Sequence, residues 1–155
     1  MKVINQDITT VETGVIGHQC NCQGVMGAGV ALAIRNKWPK AYDGYMHAHK
    51  QHKLILGMGI TVEVKEEPPL FVMHLCGQSH FGNRGIFTDY EALSDALSNM
   101  KNFQKDYASV YDDKILQLYL PYGIGCGLAG GDWKIVESII ESIMPDVILC
   151  KWGGK

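Results

Sequence analysis

Apolar and polar positions divide the chain into short strands and longer helices. Residues 14–20 form a β-prone run bounded by glycines, which is typical of a buried strand. Alternating or continuous apolar runs predict further strands at residues 60–64, 70–75, 115–120 and 147–150, and the interrupted run at 3–11 predicts an edge strand and a turn. The chain is therefore rich in short, regularly spaced strands.

Helical spacing of apolar residues appears between these strands. It predicts helices over residues 28–38, 40–52, 88–103 and 133–144, with Pro39 ending or redirecting the first of them. Thr88 followed by Glu91 has the form of a capping box. Strands that alternate with helices predict an α/β fold, a three-layer α/β/α sandwich with a mixed central sheet, as a single domain over residues 1–155.

Composition excludes several classes of protein. The 155 residues carry 14 Lys+Arg against 16 Asp+Glu, a formal charge of −2, and no basic block. We therefore expect no binding to nucleic acid or membranes, and a monomer. No apolar run reaches the roughly 18 residues of a membrane span, which predicts a soluble, cytoplasmic protein. The five cysteines lack C-x-x-C spacing, which favours reduced thiols over a disulfide framework or a zinc site.

Two glycine-rich segments are the strongest functional signal. Residues 123–131 hold five glycines in nine positions, between a predicted strand and a predicted helix, and residues 24–29 follow another strand in the same way. Such loops let backbone N–H groups approach an anion, and a helix N-terminus adds partial positive charge. Ligands of α/β sheets sit beyond the carboxyl ends of strands, so the two loops together predict a diphosphate site.

These segments resemble the macro domain family, whose members bind ADP-ribose. Residues 5–9, Asn-Gln-Asp-Ile-Thr, resemble the family's Gly-Asp-Ile-Thr motif, with Gln6 where glycine is usual. Residues 18–29 resemble the loop for the distal ribose and first phosphate, and residues 123–128 the second phosphate loop. The resemblance implies that Asp7 accepts a hydrogen bond from the adenine amino group and that Asn21 binds the distal ribose.

Four segments, at residues 18–22, 26–29, 38–41 and 125–128, are most similar to one subgroup of that family. It includes the yeast-type ADP-ribose-1''-phosphate phosphatase and the ADP-ribosyl-glutamate hydrolases, and related sequences occur in bacteriophages. Ala129 replaces the Asp of the glutamate hydrolases, and residues 77–84 lack their lysine, so a covalent lysine mechanism is not expected. Cys150 takes the place of the usual adenine-stacking aromatic, and Trp152, two residues on, is predicted to replace it.

Two residues are candidates for catalysis. His18 matches a histidine of the yeast-type phosphatase and titrates near neutrality, although a satisfied, half-buried histidine is the alternative. Asp132 is predicted to activate a water, with a helix N-cap as the alternative. The ligand-binding residues implied by the resemblance are Asp7, Ile8, Asn21, Gly24, Met26, Gly27, Ala28, Gly29, Val30, Gly123, Ile124, Gly125, Cys126, Gly127, Leu128 and Trp152.

The resemblance therefore predicts a hydrolase that removes a group from the distal ribose of ADP-ribose, with the 1''-phosphate as the expected group. ADP-ribosyl esters and O-acetyl-ADP-ribose are alternative substrates. A module that binds ADP-ribose, or a related nucleotide, without turnover is the alternative from a different class. No cofactor is expected, and His47, His49 and His52 are too irregularly spaced to predict a metal site.

Overall fold

A computed structural model describes residues 1–82 and 84–152. Its six strands form one sheet in the order β1-β6-β5-β2-β4-β3, in which all neighbours are parallel except β3 and β4. The predicted mixed sheet is confirmed. The strands are β1 (Lys2–Asn5), β2 (Gly14–Asn21), β3 (Gly59–Lys65), β4 (Leu70–Gln78), β5 (Leu118–Pro121) and β6 (Ile148–Lys151).

Helices cover both faces of the sheet. One face packs against α3 and α4 through residues such as Leu97 and Ile140, and the other against α1 and α2 through residues such as Ile34 and Tyr45. The result is the predicted three-layer α/β/α sandwich. The helices are α1 (Gly29–Lys37), α2 (Pro39–Lys50), α3 (Tyr90–Val110) and α4 (Trp133–Ile143).

The central strands β2 and β5 position the functional loops. Buried side chains alternate along β2 between the two faces, with Val15 in the core under α3 and α4 and Ile16 in the core under α1 and α2. Because β2 and β5 are parallel neighbours, their carboxyl ends emerge at the same edge of the sheet. Both glycine-rich loops begin there.

The edge strand and turn predicted for residues 3–11 are confirmed: β1 lies at the edge of the sheet, and residues 8–10 form a turn of 3-10 helix, because the Asp7 side chain accepts the Thr9 N–H and caps it. The predicted start of α3 was wrong. Helix α3 begins one residue later than the Thr88 capping box implies, with Asp89 as its N-cap. Thr88 instead donates its hydroxyl to the carbonyl of Gly125, 2.6 Å away.

In the described part of the chain, no helix combines the length and the apolar character needed to cross a membrane.

Candidate functional site

The two glycine-rich loops line one cavity of about 700 Å³. It opens at the carboxyl ends of β2 and β5, and the segment after β4 closes a further side. Its size lies in the range of small-molecule sites. The described residues that line it are His18, Gln19, Cys20, Asn21, Val25, Gly27, Ala28, Gly29, Val30, Ala31, Gln78, Phe81, Gly82, Pro121, Tyr122, Gly123, Ile124, Gly125, Gly127, Leu128 and Ala129.

Asn21 organises the first loop. Its Oδ1 accepts hydrogen bonds from the N–H groups of Gln23 and Val25, at 3.0 and 3.3 Å, and its Nδ2 donates to the Val25 carbonyl at 2.8 Å. The hydroxyl of Tyr45 lies 2.7 Å from the backbone oxygen of Asn21. Burial raises the pKa of Tyr45, which keeps this hydroxyl protonated as a donor. Asn21 therefore holds the loop in shape from its place in the cavity wall.

Gln19 braces the second loop. Its Nε2 donates to Gln78 Oε1 at 2.8 Å and to Thr88 Oγ1 at 2.9 Å, and Thr88 in turn donates to the carbonyl of Gly125. The N–H of Gly131 donates to the same carbonyl at 2.8 Å. One side chain of β2 thus ties together the end of β4, the start of α3 and the glycine-rich loop.

The direction of these bonds leaves one acceptor of Gln19 unused. The amide of Gln78 donates to the carbonyl of His80, which can only accept, so Gln78 presents its oxygen to Gln19. The hydroxyl of Thr88 has donated its one hydrogen to Gly125. Both neighbours therefore require a donor from Gln19, and its Oε1 is left buried without a hydrogen-bond partner among the described residues.

His18 lies in the cavity floor and is almost fully buried. Its Nε2 is 2.7 Å from Nδ1 of His74, its register partner on β4, and Nε2 of His74 is 2.8 Å from the carbonyl of Ala41. Nδ1 of His18 is buried without a partner among the described residues. Burial lowers the pKa of both histidines, that of His74 to about 4, and the neighbouring His74 lowers the pKa of His18 further.

The buried histidine pair predicts a loss of stability in mild acid. In the unfolded chain both rings take a proton near pH 6.5, whereas in the folded protein His74 stays neutral to about pH 4. Below pH 6.5 the unfolded state therefore binds more protons, and the free energy of unfolding falls as pH falls, by on the order of 3 kcal/mol for His74 by pH 4. Urea unfolding at pH 7 and pH 5 measures the change in the free energy of unfolding. His74→Leu is expected to make this free energy less dependent on pH, whereas His47→Leu, which replaces an exposed histidine, is expected to leave its pH dependence unchanged. Equal stability of the wild type at both pH values would contradict it.

The structure brings most of the predicted loop residues to the cavity. Asn21, Gly27, Ala28, Gly29, Val30, Gly123, Ile124, Gly125, Gly127 and Leu128 line it, as does His18. The other residues predicted to bind the ligand do not line the cavity, and the structure places each of them elsewhere.

On the first-loop side, Met26 is buried in the core beneath α1 and α2, as is Ile8. Gly24 packs against the ring of His49: a Cβ on Gly24 would lie 2.7 Å from it. In the second loop, Cys126 packs on the core under α3 and α4, and its thiol donates to the carbonyl of Ile124. Their predicted ligand contacts are not supported by this placement.

The two remaining contacts predicted for adenine also lie outside the cavity lining. Asp7 caps the 3-10 helix, where its Oδ1 accepts hydrogen bonds from the N–H and the hydroxyl of Thr9. Trp152 follows the end of β6 and is half exposed.

Asp132 also lies outside the lining, as the N-cap of α4, where its carboxylate accepts the N–H of Lys134 at 2.9 Å. This placement favours the helix-cap interpretation over a role in the reaction. We expect Asp132→Ala to lower the free energy of unfolding by about 1 kcal/mol, without changing turnover by the folded protein. Urea unfolding and steady-state kinetics measure the two effects. Asp89→Ala, which removes the cap of α3, is the matched control. A hundredfold loss of turnover in Asp132→Ala alone would restore the catalytic interpretation.

Several lining residues were not predicted as site residues. Gln19 lies inside a strand pattern, and its importance depends on partners 59 and 69 residues away. Phe81 and Tyr122 are exposed aromatic side chains at the cavity rim, at 52% and 38% of their full surface. An aromatic next to a glycine-rich segment, as in Pro121-Tyr122-Gly123, is the one local signal that could have marked the rim.

Charged side chains are absent from the described lining, which contains no Lys, Arg, Asp or Glu. Among the described residues, no group of three or more His, Cys, Asp or Glu side chains is placed to hold a metal ion. A ligand in this cavity would therefore meet backbone groups, uncharged polar side chains and apolar contacts at the rim.

The family model for the macro domain matches residues 18–140. The chain belongs to the macro domain family. The match spans both glycine-rich loops, the carboxyl end of β2 and the whole of β3, β4 and β5, so it covers the parts of the chain that build the cavity.

Named relatives are of two kinds. The ADP-ribose 1''-phosphate phosphatase of Scheffersomyces stipitis is 38% identical to this chain over 144 residues, with 82% of each chain covered. The ADP-ribose 1''-phosphate phosphatase of Saccharomyces cerevisiae is 28% identical over 153 residues, and the match covers 86% of this chain and 85% of the relative. A DNA ADP-ribosyl glycohydrolase of Mycobacterium tuberculosis is 26% identical over 91% of this chain but only 38% of its own length.

A solved structure supports the same fold. An X-ray crystal structure of a protein from Bacteroides thetaiotaomicron superposes with a TM-score of 0.81 at 27% identity, covering 97% of this chain and 98% of that one.

Proposed function

We propose that this macro domain binds ADP-ribose in the cavity and hydrolyses a group, the 1''-phosphate, from its distal ribose. The observation that carries the proposal is the convergence of two glycine-rich loops, from the ends of two adjacent parallel strands, on one cavity. Two loops on different sides of one space match two linked phosphates. The names of the yeast relatives support the substrate, and those of all three relatives describe enzymes acting on ADP-ribose derivatives.

The diphosphate would be held by the backbone. Gly29 is the first residue of α1 and has a φ of +59°, and the N-cap residue Ala28 provides no side-chain cap. The N-terminus of α1 therefore presents N–H groups and partial positive charge to an anion. Gly125 has a φ of +77° in the opposite loop, a conformation that other residues rarely adopt.

The distal ribose would meet the unpaired acceptor of Gln19. Its Oε1 is buried, lacks a partner among the described residues and belongs to a lining residue at the carboxyl end of β2. A sugar carries hydroxyl donors, one of which would satisfy this acceptor, whereas an unsatisfied buried acceptor costs about 1–3 kcal/mol. Asn21, two residues on, is proposed to contact the same sugar.

The proposed reaction uses His18 as the general base. A water oxygen forms a bond to phosphorus while Nδ1 of His18 takes the proton of that water. The bond from phosphorus to the ribose oxygen breaks, its electron pair stays on the ribose oxygen, and this oxygen takes up a proton from solvent water, while His18 releases its extra proton to solvent and becomes neutral again. Inorganic phosphate and ADP-ribose are the products, and positioning by the loops supplies the remaining rate acceleration.

Two measurements test the proposal. Isothermal titration with ADP-ribose is expected to show saturable binding, and AMP is expected to bind more weakly because it lacks the distal ribose. Incubation with ADP-ribose-1''-phosphate is expected to release inorganic phosphate. No binding of ADP-ribose at millimolar concentration would overturn the proposed ligand, and binding without phosphate release would overturn the proposed reaction.

A binding module without turnover is the second candidate. It is favoured by the absence of a carboxylate or lysine from the described lining, and by the use of Asp132 as a helix cap. Binding of ADP-ribose together with stability of ADP-ribose-1''-phosphate, an ADP-ribosyl ester and O-acetyl-ADP-ribose would select this candidate. Hydrolysis of either ester but not of ADP-ribose-1''-phosphate would show that the protein is an enzyme with a different substrate.

The adenine contact proposed for Asp7 has its own test. Asp7→Ala is expected to weaken ADP-ribose binding about tenfold and to leave ribose-5-phosphate binding unchanged, because the carboxylate is assigned to adenine. Isothermal titration with both ligands measures the difference. Since Asp7 also caps the 3-10 helix, Thr9→Val, which removes only the hydroxyl donated to Asp7, is the control for that turn. Equal losses for both ligands would contradict the adenine assignment.

A further inference from the structure

His18 and His74 form a directional hydrogen-bonded chain. They are register partners on the parallel strands β2 and β4, and both rings are almost fully buried. The ring centroids lie 4.8 Å apart at an interplanar angle of 77°, with 2.7 Å between Nε2 of His18 and Nδ1 of His74. Nε2 of His74 continues the chain to the carbonyl of Ala41 at 2.8 Å.

The carbonyl at the far end determines where each proton sits. A carbonyl oxygen only accepts, so Nε2 of His74 carries a hydrogen and donates it to Ala41. A neutral imidazole has one N–H, so Nδ1 of His74 is a bare acceptor and Nε2 of His18 must donate to it. The one hydrogen of His18 is thereby used, and its Nδ1 carries a lone pair.

Both rings are neutral at pH 7, which this assignment requires. Burial is the main cause of the lowered pKa of each histidine, and the neighbouring His74 lowers the pKa of His18 further. The ring of Tyr45 also packs against the pair, with its centroid 5.2 Å from that of His74. Nδ1 of His18 is therefore unprotonated at neutral pH.

We propose that His74 is a positioning residue that holds His18 in the Nε2–H tautomer, so that Nδ1 is the proton acceptor at the cavity floor. The catalytic role of this tautomer rests on the proposed function, whereas the tautomer itself follows from the hydrogen bonds. When Nδ1 takes the proton of the attacking water, the ring becomes cationic, and its Nε2–H bond to His74 becomes a charge-assisted one.

The tautomers can be read directly in the wild type. Long-range ¹H–¹⁵N spectra of the uniformly ¹⁵N-labelled protein at pH 7 are expected to show a protonated Nε2 and an unprotonated Nδ1 for both His18 and His74. His47→Ala, His49→Ala, His52→Ala and His80→Ala assign the four competing signals by their disappearance. A protonated Nδ1 on His18, or a cationic ring on either residue, would overturn the proposal whether or not the protein is an enzyme.

Paired variants separate positioning from packing. His74→Leu removes the acceptor at similar volume, whereas His74→Asn can present an amide oxygen near the former Nδ1. We expect His74→Leu to lower kcat for ADP-ribose-1''-phosphate tenfold or more, with ADP-ribose affinity within threefold of wild type and a mixed or Nδ1–H tautomer at His18. His74→Asn is expected to recover most of kcat and the Nε2–H tautomer.

The outcomes remain distinguishable. Wild-type kcat in His74→Leu, or a reduced kcat with the His18 tautomer unchanged, would overturn the positioning role. If His74→Leu fails to fold, the wild-type spectrum and His74→Asn decide the question. If the wild type releases no phosphate, the proposed function fails, while the tautomer assignment is still judged by the spectrum.

Discussion

Replacing Gly125 with valine is expected to reduce ADP-ribose affinity by more than a hundredfold. The backbone of Gly125 has a φ of +77°, which a β-branched residue adopts only with strain. A Cβ at this position would lie 3.0 Å from Oε1 of Gln19 and 3.2 Å from Oγ1 of Thr88. It would therefore also displace the two side chains whose hydrogen bonds hold the second loop. Isothermal titration of the folded variant with ADP-ribose measures the loss.

Gly57→Val is the matched control for this substitution. Gly57 also has a positive φ, +90°, and its Cβ would lie 3.3 Å from Asp95, but it lies outside the cavity lining. We expect a comparable loss of thermal stability in both variants and unchanged ADP-ribose affinity in Gly57→Val. Wild-type affinity in a folded Gly125→Val would show that the second loop does not contact the ligand.

Replacing His18 with alanine is expected to lower kcat for ADP-ribose-1''-phosphate by roughly a hundredfold or more. The reason is that a general base acts in the transition state, so its loss lowers the rate much more than it weakens product binding. ADP-ribose affinity should therefore stay within a few-fold of wild type. Phosphate release at saturating substrate and titration with ADP-ribose measure the two quantities.

The control for His18 is His47→Ala, which removes an exposed histidine of α2 that lies outside the cavity lining. Its kcat should equal that of wild type. His18→Ala also removes a buried ring, so thermal unfolding must confirm that it is folded at the assay temperature. Equal losses of kcat and ADP-ribose affinity in folded His18→Ala would indicate a binding residue and not a base.

The architecture was accessible from the sequence because it depends on local patterns. The break between α1 and α2 follows from Pro39, which is tolerated at the first position of a helix and is unfavourable in its interior. The glycine-rich segments at the ends of β2 and β5 follow from composition and from their place after apolar runs. Both loops contribute to the cavity, as predicted.

The wrong prediction for the start of α3 has a physical cause. Thr88 and Asp89 can both cap a helix, and the sequence does not say which of them a distant carbonyl will engage. The structure uses Thr88 for Gly125, 37 residues away, and leaves the cap to Asp89. In the same way, the sequence position of Asp132 suits either the activation of a water or a helix cap, and its contact with Lys134 favours the cap.

The histidine pair lay beyond sequence reasoning for a related reason. His74 sits in the apolar strand β4, where a lone histidine predicts only a buried side chain. Its importance depends on the register that sets it beside His18, 56 residues earlier, and on the approach of Ala41 from α2. Neither the register of the two strands nor the approach of α2 can be read from local spacing.

The uncharged lining of the cavity has a consequence for the kinetics of binding. Electrostatic steering needs side-chain charges that extend their field into solvent, and the described lining offers none while the chain carries a formal charge of −2. An anionic dinucleotide would therefore arrive by unassisted diffusion, at a rate that changes little with ionic strength. The selectivity between ligands is then set by the dissociation rate of the complex. Short-range contacts with the backbone and with buried polar groups determine that rate.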